Sequence, residues 1–512
     1  MFRLSPSKRT IDVCVATLLV CVAVGNFIEA ADRPLWYDEI FTVVLARLPT
    51  MDGVMAALGS SVDTSGPVFH ALVRLTDGWV LDVEARYRLL SVVGSTVTYA
   101  ALYVFARRDL GPVAGLITVL VMLLSRLHHG YDVEARAYAL MVMFIAVGAV
   151  AWQRAASWPW TIALGISAAL AVGTHYYSVF AGVPFVVAEL VHSVRKHHVR
   201  LQVWAALAMG GLSLWACWPL LSGLRVYYGL HYWAKPSVGR AVEAYDYLAP
   251  TGVPGAGFGI AVALGIAMLV LFVRVWPNDE ALDWSRPAPE TLVFVMMLLA
   301  IPFVAIAAAA AMNGGFTHRY ALGMLPGVGL SVAFAARALD SHMRTLVALG
   351  LLSVLASREL AFWGSRSDES GLGARARFEG QMRAMAEAKT IGMGLPVVVD
   401  NGLDCLPLAF YDAGPVASEP VCLTDPEAAR RYIGTDSLDL DLIALKPYVR
   451  HQIVDFGEFR SQHREFLLLS HFGAETWWPT RLVDERYTLT VVSRSSVHAL
   501  YRVTARAVIP ES

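Results

Sequence analysis

The sequence predicts a polytopic α-helical membrane protein of about eleven spans, followed by a C-terminal extracytoplasmic α/β domain. Three observations predict it. The chain is 56% hydrophobic and only 16% charged over 512 residues, less charge than a soluble protein of that length carries. Apolar runs of roughly 18–25 residues recur, each long enough to cross a bilayer. From about Gly364 the long runs stop, and short apolar stretches alternate with polar segments containing Gly and Pro, as in an α/β domain.

The predicted spans are 11–31, 88–106, 111–127, 136–154, 159–177, 178–194, 200–222, 253–275, 290–312, 319–338 and 343–362. The first follows MFRLSPSKRT, and its length reads as an uncleaved anchor rather than a removed leader. Arg3, Lys8 and Arg9 hold the N-terminus in the cytoplasm. One segment needs arbitration: GPVFHALVRLTDGWV, residues 66–80, is short and carries Arg74 and Asp77. If it does not cross, then Arg107 and Arg108, Arg154, the RKHHVR run at 195–200, Arg274, Arg337 and Arg344 all face the cytoplasm. If it crosses, all of them move outside, against the positive-inside rule. It is therefore read as a re-entrant or surface-lying amphipathic helix. Eleven crossings then divide the chain into a membrane domain, 1–363, with an outer loop at 32–65, and an extracytoplasmic domain, 364–512.

Within that last domain, 372–390 reads as an amphipathic helix. LPVVVD (395–400), LDLIAL (440–445), EFLLLS (465–470), YTLTVV (487–492) and HALYRV (498–503) read as strands. Cys405 and Cys422 lie here; export permits a disulfide, and two free thiols fit the sequence equally well. Cys14, Cys21 and Cys217 sit in apolar runs, facing lipid or core. A net charge of −1 gives no ground for nucleic-acid binding. Zinc-type Cys/His spacing, a P-loop and a helix-opening GxGxxG are all missing from the sequence.

On this topology the polar loops face outward, and they carry the chemistry. The first holds Trp36, Tyr37, Asp38 and Glu39 at the start of a helical pattern. Acids there suit a helix N-terminus, and aromatics suit an interfacial belt or a stacked sugar. The second, DTSGPVFHALVRL, brings Asp63 and His70. The third, HHGYDVEARAYAL, brings His128, His129, Asp132, Glu134, Arg136 and Tyr138. Glu134 and Arg136 are two residues apart and do not share a helix face, so they take different partners or precede the helix. The fourth, GTHYYSVF, ends a span with His175, Tyr176 and Tyr177. The fifth, FTHRYALGMLPGVGL, opens one with His318, Arg319 and Tyr320. The loop from 224 to 250 adds Arg225 and Lys235. Singly, each reads as a cap, anchor or satisfied core residue. Together they gather ionisable groups at one membrane face, where such groups are costly unless they work.

In order and content, WYDEIFT, DTSGPVFHALVRL, YDVEARAYAL, THYYSVF and HRYALGMLPGVGL resemble the lipid-phosphosugar-dependent glycosyltransferases of superfamily C. That group includes protein O-mannosyltransferases and the aminoarabinose transferases of lipid A modification. The resemblance covers about residues 10–360. It departs from the family in three places: Gly66-Pro67 stands where a Pro-Pro pair is common, Ser65 where some members have Lys, and Val133 where Gln is frequent.

The resemblance implies transfer of a sugar from a polyprenyl monophosphate to an acceptor hydroxyl on the outer face of a bacterial inner membrane. The acceptor is an envelope glycan, lipid or protein. Asp38 would be the general base, with Glu39 orienting the acceptor or helping Asp38. Arg136 and Arg319 would stabilise the leaving phosphate, with Arg225 and Lys235 behind them. Glu134 and His175 would shape the sugar pocket. No cofactor is required, and a divalent cation has no support in the sequence. DVEAR also occurs at 82–86; that copy matches no family motif and reads as a helix anchor. The rival readings are a lipid or sugar-lipid transporter and a non-catalytic membrane scaffold; neither needs a base at Asp38.

Overall fold

The computed structural model describes residues 7–125, 130–247, 253–276, 288–365, 374–412, 414, 419–471, 476–495 and 498–505. The first helices in chain order are α1 (Lys8–Asp32), α2 (Tyr37–Ala46), α3 (Met51–Gly59), α4 (Pro67–Arg74), α5 (Val83–Leu110) and α6 (Pro112–Leu124). Next come α7 (Tyr138–Trp152), α8 (Trp158–Thr174), α9 (Gly182–Lys196), α10 (Leu201–Tyr228) and α11 (Val238–Asp246). They are followed by α12 (Ala256–Val275), α13 (Pro289–Leu299), α14 (Ile301–Ala311), α15 (Leu325–Ala336) and α16 (Ser341–Ser365). The chain divides into two compact units. One comprises Met1–Asp32, Ser65–Leu221 and Ala234–Asp368; the other comprises Arg33–Thr64, Ser222–Trp233 and Glu369–Ser512.

The first unit is helical and integral to a membrane. Among the described residues, seven helical segments are long and apolar enough to cross a bilayer, two of them entered through 3-10 turns at Tyr176–Ala181 and His318–Met324. α13 and α14 form an eighth, bent by 54°. The bend follows from Pro302 in the first turn of α14, which has no N–H to continue the ladder. α6, α7 and α8 are equally apolar but shorter, at 13, 15 and 17 residues. Each of these segments lies on one of the predicted runs. α4 has only eight residues, about 12 Å of helix, so it cannot cross.

Close approach between helices depends on small residues. A Cβ on Gly327 would meet Leu298 Cβ at 2.7 Å, so only glycine lets α15 lie against α13. Charged groups tie helices together at one end of the unit. Arg107 grips Asp12 through two bonds of 2.8 Å, Arg195 reaches Glu290 at 3.2 Å, and Arg200 Nε donates to Glu189 at 2.9 Å.

The second unit is built on a six-stranded sheet with strand order β3-β2-β1-β4-β6-β5. The strands are β1 (Val397–Val399), β2 (Val421–Thr424), β3 (Ile453–Asp455), β4 (Glu465–His471), β5 (Tyr487–Arg494) and β6 (His498–Ala505). β1 to β4 run parallel, β6 is antiparallel to β4, and β5 is antiparallel to β6. The core centres on Val398, Phe456, Phe466, Leu468, Trp478 and Val503. The packed helices are α17 (Ala374–Gly392), α18 (Gly402–Tyr411), α19 (Pro426–Ile433), α20 (Ser437–Leu445), α21 (Phe456–Gln462) and α22 (Trp478–Asp484).

Four of the five predicted strands and the amphipathic helix are present. LDLIAL is helical instead, as part of α20. Its alternation mimics a strand, but the buried positions Asp439, Leu442 and Leu445 recur every third residue. VCLT and IVD are the strands that sequence reading missed; each has only three or four residues. Cys405 and Cys422 are bonded, with Cα atoms 5.7 Å apart, and clip α18 to β2.

Segments 33–64 and 222–233 fold with the sheet. The Leu35 N–H donates to Tyr411 Oη at 2.8 Å. Tyr227 donates to Leu440 O at 2.9 Å, Tyr228 donates to Asp441, and the Trp233 N–H donates to Ser437 Oγ at 3.2 Å.

Candidate functional site

The second DVEAR copy forms a turn before α7. The Arg136 N–H closes it on Glu134 O at 2.7 Å, and Ser91 of α5 donates to the Glu134 carbonyl. Glu134 and Arg136 thus precede the helix, and Arg136 is only 4% exposed. The first copy starts α5. Its Arg86 donates to Leu81 O at 2.9 Å, and Tyr87 donates to Asp77 at 2.6 Å, so it anchors a helix end as expected.

Next to Arg136, the Tyr138 ring lies 5.3 Å from His175, which lies 5.3 Å from Tyr320. Tyr320 stacks on Tyr177 at 4.6 Å. The Arg319 guanidinium lies 6.0 Å from the Tyr138 ring, within cation–π range. His318 stacks on Tyr247 at 4.1 Å and meets Tyr131 Oη at 3.4 Å. Three motifs far apart in sequence therefore meet in one cluster of aromatic and cationic groups, in which Tyr138, His175 and Tyr320 are buried. Tyr176 is buried beside it.

The second motif is tied to the fourth through the backbone. The Gly66 N–H donates to Thr174 O at 2.9 Å, one residue before His175. A Cβ on residue 66 would meet Gly173 O at 2.1 Å. The departure from Pro-Pro thus accompanies an approach that only glycine allows here. His70, in α4, is fully buried. Asp132 accepts from Tyr99 and Asn26. Lys235 is exposed. His128 and His129 lie outside the described residues.

Trp36, Tyr37, Asp38, Glu39, Asp63 and Arg225 belong to the sheet unit. α2 begins at Tyr37, with Asp38 and Glu39 in its first turn. Glu39 is fully buried and accepts the Trp36 N–H at 3.1 Å, so the N3 side chain satisfies the N-cap backbone donor. Tyr37 donates to Leu438 O at 3.4 Å. Asp38 is half-buried. Asp63 is buried and Arg225 exposed.

Sequence reasoning missed Tyr247, which stacks on His318 and was signalled only as one aromatic in a polar loop. It also missed Arg88, which is fully buried and donates to Ala30 O at 2.8 Å. Among the described residues, no three His, Cys, Asp or Glu side chains converge as metal ligands.

Residues 65–222 match the family model for dolichyl-phosphate-mannose-protein mannosyltransferases, under half of the chain. Two crystal structures of ArnT from Cupriavidus metallidurans share the fold over nearly the whole length. The apo structure has a TM-score of 0.58 at 13% identity, covering 96% of this chain and 98% of that one. The structure bound to undecaprenyl phosphate has a TM-score of 0.54 at 13% identity, covering 95% and 97%. No curated protein matches the sequence. The resemblance to the superfamily C glycosyltransferases, drawn from the ordered motifs, is borne out by these matches.

Proposed function

We propose that this chain is a glycosyltransferase that moves a sugar from a polyprenyl monophosphate to an acceptor hydroxyl at the outer face of a bacterial inner membrane. The carrying observation is the cluster of Tyr138, His175, Arg319 and Tyr320, whose first member follows the buried Arg136 by two residues. It brings buried tyrosine and histidine rings together with a guanidinium of the kind that grips a phosphate monoester. The lipid phosphate present in one structure of this fold is the same headgroup chemistry.

In this reading the acceptor oxygen attacks the anomeric carbon while the bond from that carbon to the phosphate oxygen breaks. Positive character builds on the sugar, as in glycoside cleavage. Asp38 takes the acceptor proton. The bonding pair leaves with the phosphate, whose charge Arg136 and Arg319 stabilise. Glu39 holds the first turn of α2 and thereby aims Asp38. Glu134 and His175 shape the sugar pocket, with Trp36, Tyr37, Tyr176 and His318 lining substrate paths. Asp63, His70, Asp132, Arg225 and Lys235 are supporting positions in the same reading.

Membranes carrying the chain are given a panel of polyprenyl-phosphate sugars, and free polyprenyl phosphate is measured. Turnover of one donor, dependent on an added acceptor, supports the reading. No release from any donor, with the chain folded and membrane-inserted, overturns it.

A further inference from the structure

The sheet unit contains a reversal of strand order that the proposed transfer does not use. In the order β3-β2-β1-β4-β6-β5, the chain moves outward from β1 to β2 and β3, then returns to place β4 on the other side of β1. Val421 and Leu423 of β2 share a core with Trp478 and Leu482 of α22. Side chains alternate along a strand, so Cys422 between them points to the opposite face. Its disulfide holds α18 on that face. β1 thus leads into a helix on one face, and the next described helix after β4 lies on the other. In open α/β sheets, ligands bind in the crevice that such a reversal leaves outside the carboxyl ends of the two strands.

Asp400 follows the last residue of β1, and Ser470 and His471 end β4. Asp404 lies in the first turn of α18. Asp400 is 2% exposed. Ser470 donates to its Oδ2, and the His471 backbone N–H leans on the same carboxyl. Oδ1 is buried without a hydrogen-bond partner. Asp404 accepts from Gln381 of α17 at 2.8 Å, and its other oxygen lies 3.3 Å from His471 Nδ1. That approach is off hydrogen-bond geometry, and both ring nitrogens of His471 are buried without partners. Polar atoms buried in this way are costly unless a ligand satisfies them.

Burial pushes the Asp400 carboxyl up to about 7 and holds the His471 imidazole below its usual range. Near neutral pH the carboxyl can donate as well as accept, and the uncharged ring offers one donor and one acceptor. A metal ion does not suit the site, since no three His, Cys, Asp or Glu side chains among the described residues could hold one. A phosphate would find no cation beside Asp400 and His471, whose ionisable neighbours are Asp404 and His498. The start of α18 is no anion site either, because Asn401 accepts the Leu403 N–H at 2.9 Å. A hydroxyl both donates and accepts through one atom, which matches this mixture, and a sugar presents several hydroxyls on one rigid ring.

We propose that this strand edge binds a neutral sugar unit of the acceptor, with Asp400, Asp404 and His471 hydrogen-bonded to its hydroxyls. Ser470 positions the Asp400 carboxyl. That the bound sugar belongs to the acceptor rests on the glycosyl-transfer reading; that a sugar binds does not.

The test is saturation-transfer-difference NMR of the full-length chain, in a detergent without sugar headgroups and with no lipid donor. The probes are methyl glycosides of hexoses, pentoses and N-acetylhexosamines, with inorganic phosphate and methylammonium as competing ions. The expected result is binding of at least one glycoside, undisturbed by either ion. His471→Phe keeps a ring, removes both nitrogens and should weaken binding by about tenfold or more. Asp404→Ala should do the same, and it replaces His471→Phe if that variant fails to fold. Binding by none of the glycosides, binding that survives these substitutions in folded protein, or displacement by either ion overturns the proposal. Donor turnover without glycoside binding defeats this site alone. Glycoside binding without turnover of any donor defeats the transfer reading and leaves the sugar site standing.

Discussion

Arg136 is the residue on which the phosphate chemistry turns. Its burial leaves little room for a water-solvated lysine, and a lysine presents a point charge rather than a planar fork. Arg136→Lys is expected to lower donor kcat/KM by about 100-fold, within the range for one lost transition-state donor. Lipid-phosphate release checks this, with thermal unfolding showing that the fold survives. Asp400 is a different kind of residue. Burial pushes its carboxyl up to about 7, against the opposing hydrogen bond from Ser470. Burial likewise raises Asp439 to about 6. An unfolded aspartate titrates near ~4, so between about pH 4 and 7 the folded unit holds protons that the unfolded chain releases. Stability therefore falls as pH rises through that window and levels above it. Asp400→Asn should flatten the fall in a melting series from pH 4 to 8. An unchanged slope removes Asp400 as its source.

Elements show where sequence reading succeeds. Long apolar runs announce themselves because a helix in lipid must satisfy its own backbone and present an apolar surface all round. The span pattern, the helix at Ala374–Gly392 and the longer strands were legible for this kind of reason. Strands of three or four residues, such as β2 and β3, carry no period to detect, and LDLIAL carried a misleading one. The aromatic cluster was half legible. Tyr138, His175 and Tyr320 stood out at span ends, but their meeting depends on tertiary packing that no local window contains. The disulfide was also undecided in sequence. It closes a loop of 17-residue separation, so its loss should cost the sheet unit about 3 kcal/mol. Denaturant melts of Cys405→Ala/Cys422→Ala against wild type measure it. Gly66 tests the tie between the second and fourth motifs. Gly66→Ala forces a Cβ onto Gly173 O and should destabilise the helical unit by about 1–3 kcal/mol, visible as a lower melting temperature.

At the scale of the whole molecule, the folded units do not follow the linear division at residue 364. Segments 33–64 and 222–233 fold with the sheet. No sequence signal marked this, because docking through Tyr227, Tyr228 and Leu35 uses single side chains and backbone groups. The acid pair at Asp38 and Glu39 therefore folds on the sheet unit, whereas Arg136 and Arg319 fold in the helical one. The arginine distribution predicts that the sheet unit lies outside the cytoplasm. A membrane-impermeant thiol reagent should therefore label a cysteine introduced at exposed Arg450 in intact cells. Labelling only after lysis contradicts that orientation. Sugar transfer with Asp38 as base is tested by one pair of proteins. Wild type and Asp38→Asn, equally folded, are given the preferred polyprenyl-phosphate sugar and its acceptor. Asp38→Asn should retain donor binding and lose roughly 10²- to 10⁴-fold in turnover. Equal turnover by the two proteins removes Asp38 as the base.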